Sequence, residues 1–278
     1  MFLITGANGQ LGNELRLLLG DSAVYVDREE LDITDEVAVR ELLDWQNFDF
    51  VINCAAYTAV DKAEDDFEAA DRINRLGPAL LAKYGRRIIQ LSTDYVFDGS
   101  SSRPYTEMDV AKPLSVYGST KLAGENIVLA EAETAVVIRS SWMFSRYGKN
   151  FVKAMRNLRA ESDTQGIVFD QIGTPTYAAD LAATIVAMLP QIKSGTKEIY
   201  HYSNEGVASW YDFAVAIMRE CGLSYAVRPI ETSEYPTKAI RPAYSVLNKA
   251  KIKRDFGLVI PHWMDGLKRC IVKLNEQA

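Results

Sequence analysis

At 278 residues, with 48% apolar and 24% charged side chains, the chain has an ordinary globular composition and the length of one large α/β unit or two domains sharing a cleft. That excludes disorder, collagen and coiled coil, and a core of this size needs no disulfide or metal staple. A net charge of −6 argues against a nucleic-acid partner. No stretch nears the roughly 18 apolar residues that cross a bilayer, and the start lacks a basic signal-peptide region, so a cytoplasmic protein with no membrane partner is expected.

Strand and helix patterns alternate through the first two thirds. Residues 1–5 form a short apolar strand ending at glycines, and 13–19 carry a helical stripe through Leu15, Leu18 and Leu19. A strand over 23–27 follows. Thr34 then caps a helix with Asp35 and Glu36 in its first turn, where negative charge suits the helix dipole. Strands are expected at 50–55, 87–92 and 135–139, with one polar helix over 60–83 and another over 116–130. Short continuous apolar runs are the mark of strands buried on both faces. The expectation is therefore a Rossmann-type, doubly wound parallel sheet.

Beyond about residue 143 the rhythm loosens. Strands are expected at 166–170 and 198–202, and a helix at 178–189. Ser209 with Asp212 opens a further helix to about Cys221. No repeat or flexible linker intervenes. Residues 1–142 read as a dinucleotide-binding domain, joined by part of the later chain. Residues 143–278 read mainly as a smaller, interleaved C-terminal substrate-binding region. The cysteines Cys54, Cys221 and Cys270 are odd in number and lack C-x-x-C spacing, which argues against a disulfide framework and a zinc site. Cys54 lies in an apolar run and reads as core. His201 and His262 sit in no recognisable motif.

Gly6, Gly9 and Gly12 recur at a spacing of three between a strand and a helix. With 17 glycines in the chain, chance supplies about 0.06 such triplets. In that setting the first glycine makes a tight turn, the second admits a pyrophosphate and the third lets helix pack on strand. The next strand ends at Asp27-Arg28. Asp27 would accept from ribose hydroxyls and favours NAD, whereas Arg28 would hold a 2′-phosphate and favours NADP, so both cofactors stay open. Asp32-Ile33 lies where an adenine edge would fall, or simply at a helix entry.

Tyr117 and Lys121 are four apart, on one face of a helix. Chance alone gives about 0.7 such pairs here, so the pair counts only in context. It follows the glycine loop and also Thr93, a hydroxyl leaving the carboxyl end of the fourth strand. Hydride addition to a ketone builds charge on oxygen, which needs a proton. Tyr117 would supply it, a nearby Lys121 ammonium is expected to lower its pKa, and Thr93 would hold the carbonyl.

The residues that go furthest are the glycine loop, 53–64, 92–99, Pro104-Tyr105, 117–125, Arg139 with Trp142, Asn150-Phe151, 170–176 and Arg241-Pro242. With them the chain resembles the extended short-chain dehydrogenase/reductases, and among these the dTDP-4-dehydrorhamnose reductase group, over nearly its whole length. The resemblance implies NADH- or NADPH-dependent reduction of the C4 ketone of a dTDP-4-dehydro-6-deoxy-L-mannose substrate to dTDP-L-rhamnose. It assigns Thr93, Tyr117 and Lys121 to catalysis. Gly6, Gly9, Gln10, Leu11, Gly12, Asp27, Arg28, Asp32, Ile33, Ala55, Ala56, Tyr57, Thr58 and Leu91 go to the cofactor, with Tyr117 and Lys121 shared. Thr93, Asp94, Tyr95 and Trp142 go to the sugar nucleotide, the indole packing on a sugar face; Trp142 could equally fill core. Some relatives bind Mg2+ at a dimer interface through C-terminal glutamates. Here Asp265 and Glu276 are the carboxylates of that region, which argues against a metal-linked dimer and leaves monomer or homodimer open.

Related dehydratases place Asp-Glu after the threonine to eliminate water. Here the pair is Asp94-Tyr95, without the second acid. Two alternatives stand: a nucleotide-sugar 4-epimerase, and a non-catalytic NADP-binding subunit resembling the regulatory subunit of methionine adenosyltransferase.

Overall fold

The computed structural model describes residues 1–158, 165–223 and 227–276. The first half runs β1 (Phe2–Thr5), α1 (Gln10–Leu19), β2 (Ala23–Val26), α2 (Glu36–Trp45) and β3 (Phe50–Asn53). It continues with α3 (Val60–Ala63), α4 (Phe67–Asp71), α5 (Gly77–Gly85), β4 (Arg87–Thr93), α6 (Val116–Glu131) and β5 (Thr134–Ser140). Then come β6 (Met143–Phe144), α7 (Phe151–Arg156), β7 (Gln165–Val168), β8 (Ile172–Gly173), β9 (Thr176–Tyr177), α8 (Ala178–Met188) and β10 (Lys197–Tyr202). The chain ends with β11 (Ala208–Ser209), α9 (Trp210–Glu220), β12 (Val227–Ile230), α10 (Ala250–Phe256) and α11 (Trp263–Asn275).

Six strands form one sheet in the order β10-β5-β4-β3-β1-β2, and every pairing is parallel. The pleat sends alternate side chains to opposite faces. Ile4, Ile52, Ile89 and Val136 face a cluster completed by Leu11 and Leu15 of α1 and Leu181 and Ile185 of α8. Leu3, Val51, Ile88 and Ala135 face the other way, onto Val39 of α2, Leu81 of α5 and Val128 of α6. The doubly wound parallel sheet follows from strands that are apolar at consecutive positions. A second core unites Phe144, Tyr177, Phe213, Trp263 and Leu267 from the later segments. Among the described residues no helix is long and apolar enough to cross a membrane.

Several local expectations change. The helix expected over 60–83 is broken. The Asp66 carboxylate accepts from Ala69 N and starts α4 afresh. Gly77 N then reaches Arg72 O, five residues back, in a π-type turn over Arg72–Leu76. Pro78 has no N–H for the carbonyl of Asn74, so the ladder loosens at that point. Asn74 is turned inward and buried. The cap of α2 is Asp35, not Thr34: its carboxylate accepts from Val37 N and Ala38 N. Helix α1 begins at Gln10, a turn earlier than its apolar stripe. The expected strand over 166–170 runs instead over Gln165–Val168. The Ser209–Asp212 capping box forms as read.

Helix α6 lies so close to the π-type turn that a β-carbon on Gly124 would stand 2.1 Å from Asn74 O. A backbone oxygen cannot retreat as a flexible side chain can. Gly124→Ala is expected to cost roughly 1–3 kcal/mol, read as a lower denaturation midpoint; an unchanged midpoint would mean that α6 shifts without penalty.

Candidate active site

All six sheet strands run in one direction, so β1, β3 and β4 deliver their following loops to the same edge. The order reverses beside β1, between β1 and β3, which opens a crevice there. A cleft of about 1240 Å³ occupies it. Of the residues expected at the site, all but Gly12 line this cleft, including Thr93, Asp94, Tyr95, Tyr117, Lys121 and Trp142. Gly12 sits behind the loop, where a β-carbon would lie 2.6 Å from the Gly6 carbonyl oxygen.

The glycine loop presents a helix N-terminus to the cleft. Gly6 has φ +62°, and a β-carbon there would lie 2.6 Å from Ala55 N. Gly9 is the N-cap of α1 and brings no side-chain acceptor, and the first turn of α1 holds no acidic residue. The first amides of α1 thus lack a side-chain partner at the positive end of the dipole, a cradle that suits a phosphate.

At the far end of the cleft, the Asp27 carboxylate accepts from Asn8 N and Arg28 N, and both Asp27 and Arg28 reach the lining. Asp32 accepts from the Thr34 hydroxyl at 2.7 Å and from Thr34 N, and these bonds hold its carboxyl below the usual range. Asp32 therefore both closes the entry to α2 and lines the cleft. Asn74 pins the loop after β3: its amide accepts from Tyr57 N at 2.9 Å and donates to Tyr57 O and to Thr120 Oγ1 of α6.

At the near end, Ser115 caps α6 by accepting from Gly118 N. The first turns of that helix carry Tyr117 and Lys121 to the end of β4. Tyr117 meets Tyr95 edge-to-face, ring centroids 5.7 Å apart. The Thr93 hydroxyl donates to Asp94 Oδ1 at 3.1 Å and accepts from Tyr95 N. Lys121 Nζ donates to Leu91 O at 2.6 Å. Burial pushes the Lys121 ammonium down to about 8, partly offset by Glu125.

Tyr117 departs from expectation. Its phenol is pushed up to about 12 by burial, with relief from a Thr93 hydrogen bond and a further push from the Asp94 carboxylate. The expected lowering by Lys121 is absent because that ammonium is directed at Leu91 O and desolvation of the phenol outweighs it. Tyr117 is thus a neutral phenol across the physiological range.

Trp142 adopts φ +47°, and its indole stacks on Trp210, centroids 3.7 Å apart and planes within 9°. The two readings of Trp142 merge: it packs on the second core and lines the cleft. Sequence reasoning missed Trp210, Arg72 and Lys149, which also line the cleft. Trp210 opens α9 directly after the Ser209 cap, but no spacing ties it to Trp142. Arg72 and Lys149 look like any solvated cation.

The chain matches the family model described as RmlD substrate binding domain over residues 1–276. It is 41% identical to a dTDP-4-dehydrorhamnose reductase of Aggregatibacter actinomycetemcomitans, with 96% of each chain covered. The chain belongs to the dTDP-4-dehydrorhamnose reductase family. Among solved structures it is similar to a dTDP-4-dehydrorhamnose reductase of Clostridium acetobutylicum, at 41% identity and TM-score 0.93 over 99% of both chains. It is likewise similar to that of Bacillus anthracis in complex with NADP, at 35% identity and TM-score 0.93 over 98% of both chains. As a member of this family it is an NAD(P)H-dependent oxidoreductase.

The family site carries a carboxylate whose ionisation costs the fold. Asp94 is 2% exposed, and its Oδ2 has no hydrogen-bond partner. Burial raises its carboxyl from the ordinary 3.8 to about 6. The folded state therefore holds this proton more tightly than the unfolded chain, and stability is lost as pH rises from about 4 to 6 and stays lost above. Asp94→Asn should remove that loss, up to roughly 3 kcal/mol at pH 7.5 and none below about pH 4. Urea midpoints at both values test it, and a gap independent of pH would show that the Asp94 carboxyl titrates alike in the folded and unfolded chain.

Proposed function

We propose that the protein reduces the C4 ketone of dTDP-4-dehydro-6-deoxy-L-mannose to dTDP-L-rhamnose, with NADPH or NADH as the hydride donor. The observation that carries this reading is the meeting of Thr93, Tyr117 and Lys121 in one cleft with the open N-terminus of α1.

The nicotinamide cofactor, when bound, supplies the hydride that becomes the C4 hydrogen of the sugar. Gly6, Gly9, Gln10 and Leu11 would hold its phosphates on the α1 amides. Asp27, Arg28, Asp32 and Ile33 would take the adenosine, and Ala55, Ala56, Tyr57, Thr58 and Leu91 the middle of the cleft. Gly12 contributes packing. Arg28 and Arg72 both line the adenosine end, which gives a 2′-phosphate two cations and favours NADPH over NADH.

Thr93 would orient the C4 carbonyl. A neutral Tyr117 phenol is in the protonation state that a ketone reduction needs, and it passes its proton to O4 as the C–H bond forms. Lys121, whose ammonium is directed at Leu91 O, would bind the nicotinamide ribose. Asp94 and Tyr95 would contact the sugar, and the Trp142–Trp210 stack offers a flat apolar wall for its methyl-bearing face. Residues 1–142 would then serve the cofactor, and 143–278 mainly the sugar nucleotide. Glu276 is paired with Lys273, and among the described residues no group of three or more potential metal ligands gathers.

The reading is tested by loss of absorbance at 340 nm when the keto sugar is supplied with each cofactor in turn. Stoichiometric loss is expected, faster with NADPH. No loss, in protein that binds NADP, would move the reading to the epimerase or the binding subunit. Tyr117→Phe should lower turnover by about 10²-fold or more with cofactor binding retained, and Trp142→Ala should raise the sugar-nucleotide KM.

A further inference from the structure

Beneath the cleft floor lies a buried ionic cluster that the proposed chemistry does not use. Glu125 of α6 and Arg139 of β5 pair at 2.7 Å, with side chains 1% and 4% exposed. Arg139 Nε also donates to Glu125, making the contact a fork. On its other side Glu125 accepts from the Ser92 hydroxyl, one residue before Thr93 on β4. One carboxylate thus holds three elements: the strand that ends in Thr93, the helix that carries Tyr117 and Lys121, and the strand that leads to Trp142.

The same carboxylate answers a charge problem. Lys121, one helical turn before Glu125, is also buried, 4% exposed. The groups facing it are Glu125 from α6, the Cys54 thiol after β3, the Leu91 carbonyl of β4 and, through Glu125, Arg139 of β5. Cys54 is held neutral, its thiol pushed up to about 12 by burial. Beyond Arg139, His201 is pushed down to about 3 by burial and by that guanidinium, so it adds no charge. Two buried cations therefore share Glu125 as their carboxylate. Arg139 Nη1 finds no partner of its own, and its guanidinium lies over the Phe97 ring, 5.1 Å from the centroid.

We infer that Glu125 is a positioning residue that clamps α6 to β4 and β5 and serves as the counter-charge of the Lys121 ammonium. The inference rests on the reading of Lys121 as a catalytic group. Its test is built so that the two can fail separately.

In 15N-lysine NMR of the unliganded protein, the Lys121 signal, identified by its loss in Lys121→Ala, should titrate near 8. In Glu125→Gln the midpoint should fall by about one unit, because the neutral amide no longer favours the ammonium. The alkaline limb of kcat should move down with it, giving a roughly fivefold loss at pH 8 that is largely recovered at pH 6.5. Glu125→Asp should restore the midpoint. A Lys121 midpoint that stays in place in Glu125→Gln, even with lowered thermal stability, overturns the inference and leaves Glu125 a structural residue. Turnover retained in Lys121→Ala would instead overturn the functional reading. Should Glu125→Gln not fold, Ser92→Ala keeps the charge and cuts one arm of the clamp. It should lower kcat severalfold without moving the midpoint, and an unchanged kcat would overturn the clamp.

Discussion

A parallel sheet covered on both faces can bind a ligand only at its edge, and the direction of its strands decides which edge. Every crossover here returns the chain so that β1 to β5 end on the same side. The glycine loop after β1, the Asp27-Arg28 turn after β2, the 54–59 loop after β3 and Thr93 at the end of β4 then have nowhere else to meet. Helix α6 is drawn into this edge by its packing on the π-type turn, and that contact carries Tyr117 and Lys121 up to Thr93.

Placing ionisable groups at such an edge has a cost that the cleft distributes unevenly. Tyr117, Asp94 and Lys121 are each shifted toward their neutral forms, and burial is the first cause in all three. Thr93 bonds to Asp94 and eases the Tyr117 phenol, so these groups form one coupled network. A reductase gains from this arrangement. Its acid has to carry its proton before the hydride arrives, and a phenol in a desolvated pocket does so at any physiological pH.

The sheet and most of the site could be read from residue order because both rest on local rules. Consecutive apolar residues mark strands buried on two faces, and glycines at a fixed spacing mark a close approach. Thr93, Tyr117 and Lys121 draw notice by their order after the glycine loop and by the family resemblance, since the Tyr-Lys spacing alone is matched by chance. What escaped reading depends on burial or on distant partners. The direction of the Tyr117 shift needed the depth of the phenol and the position of Lys121 Nζ. Trp210 needed the three-dimensional return of α9 onto Trp142. The break in the 60–83 helix was within reach, since Pro78 lacks the N–H that would close on Asn74, but its polar pattern concealed the interruption.

The sheet is not complete when the fifth strand has been made. Its neighbour β10 is encoded 57 positions after the end of β5, counting from Ser140 to Lys197, with β6 to β9 and α8 between them. During synthesis the open side of β5 therefore emerges from the ribosome well before the strand that pairs with it. An unpaired edge with an apolar centre, Ala135 to Ile138, is the kind of surface that templates wrong pairing. The nascent chain is then committed to finishing its C-terminal half before the first half is safe, and a fragment cut near residue 142 would carry that bare edge permanently.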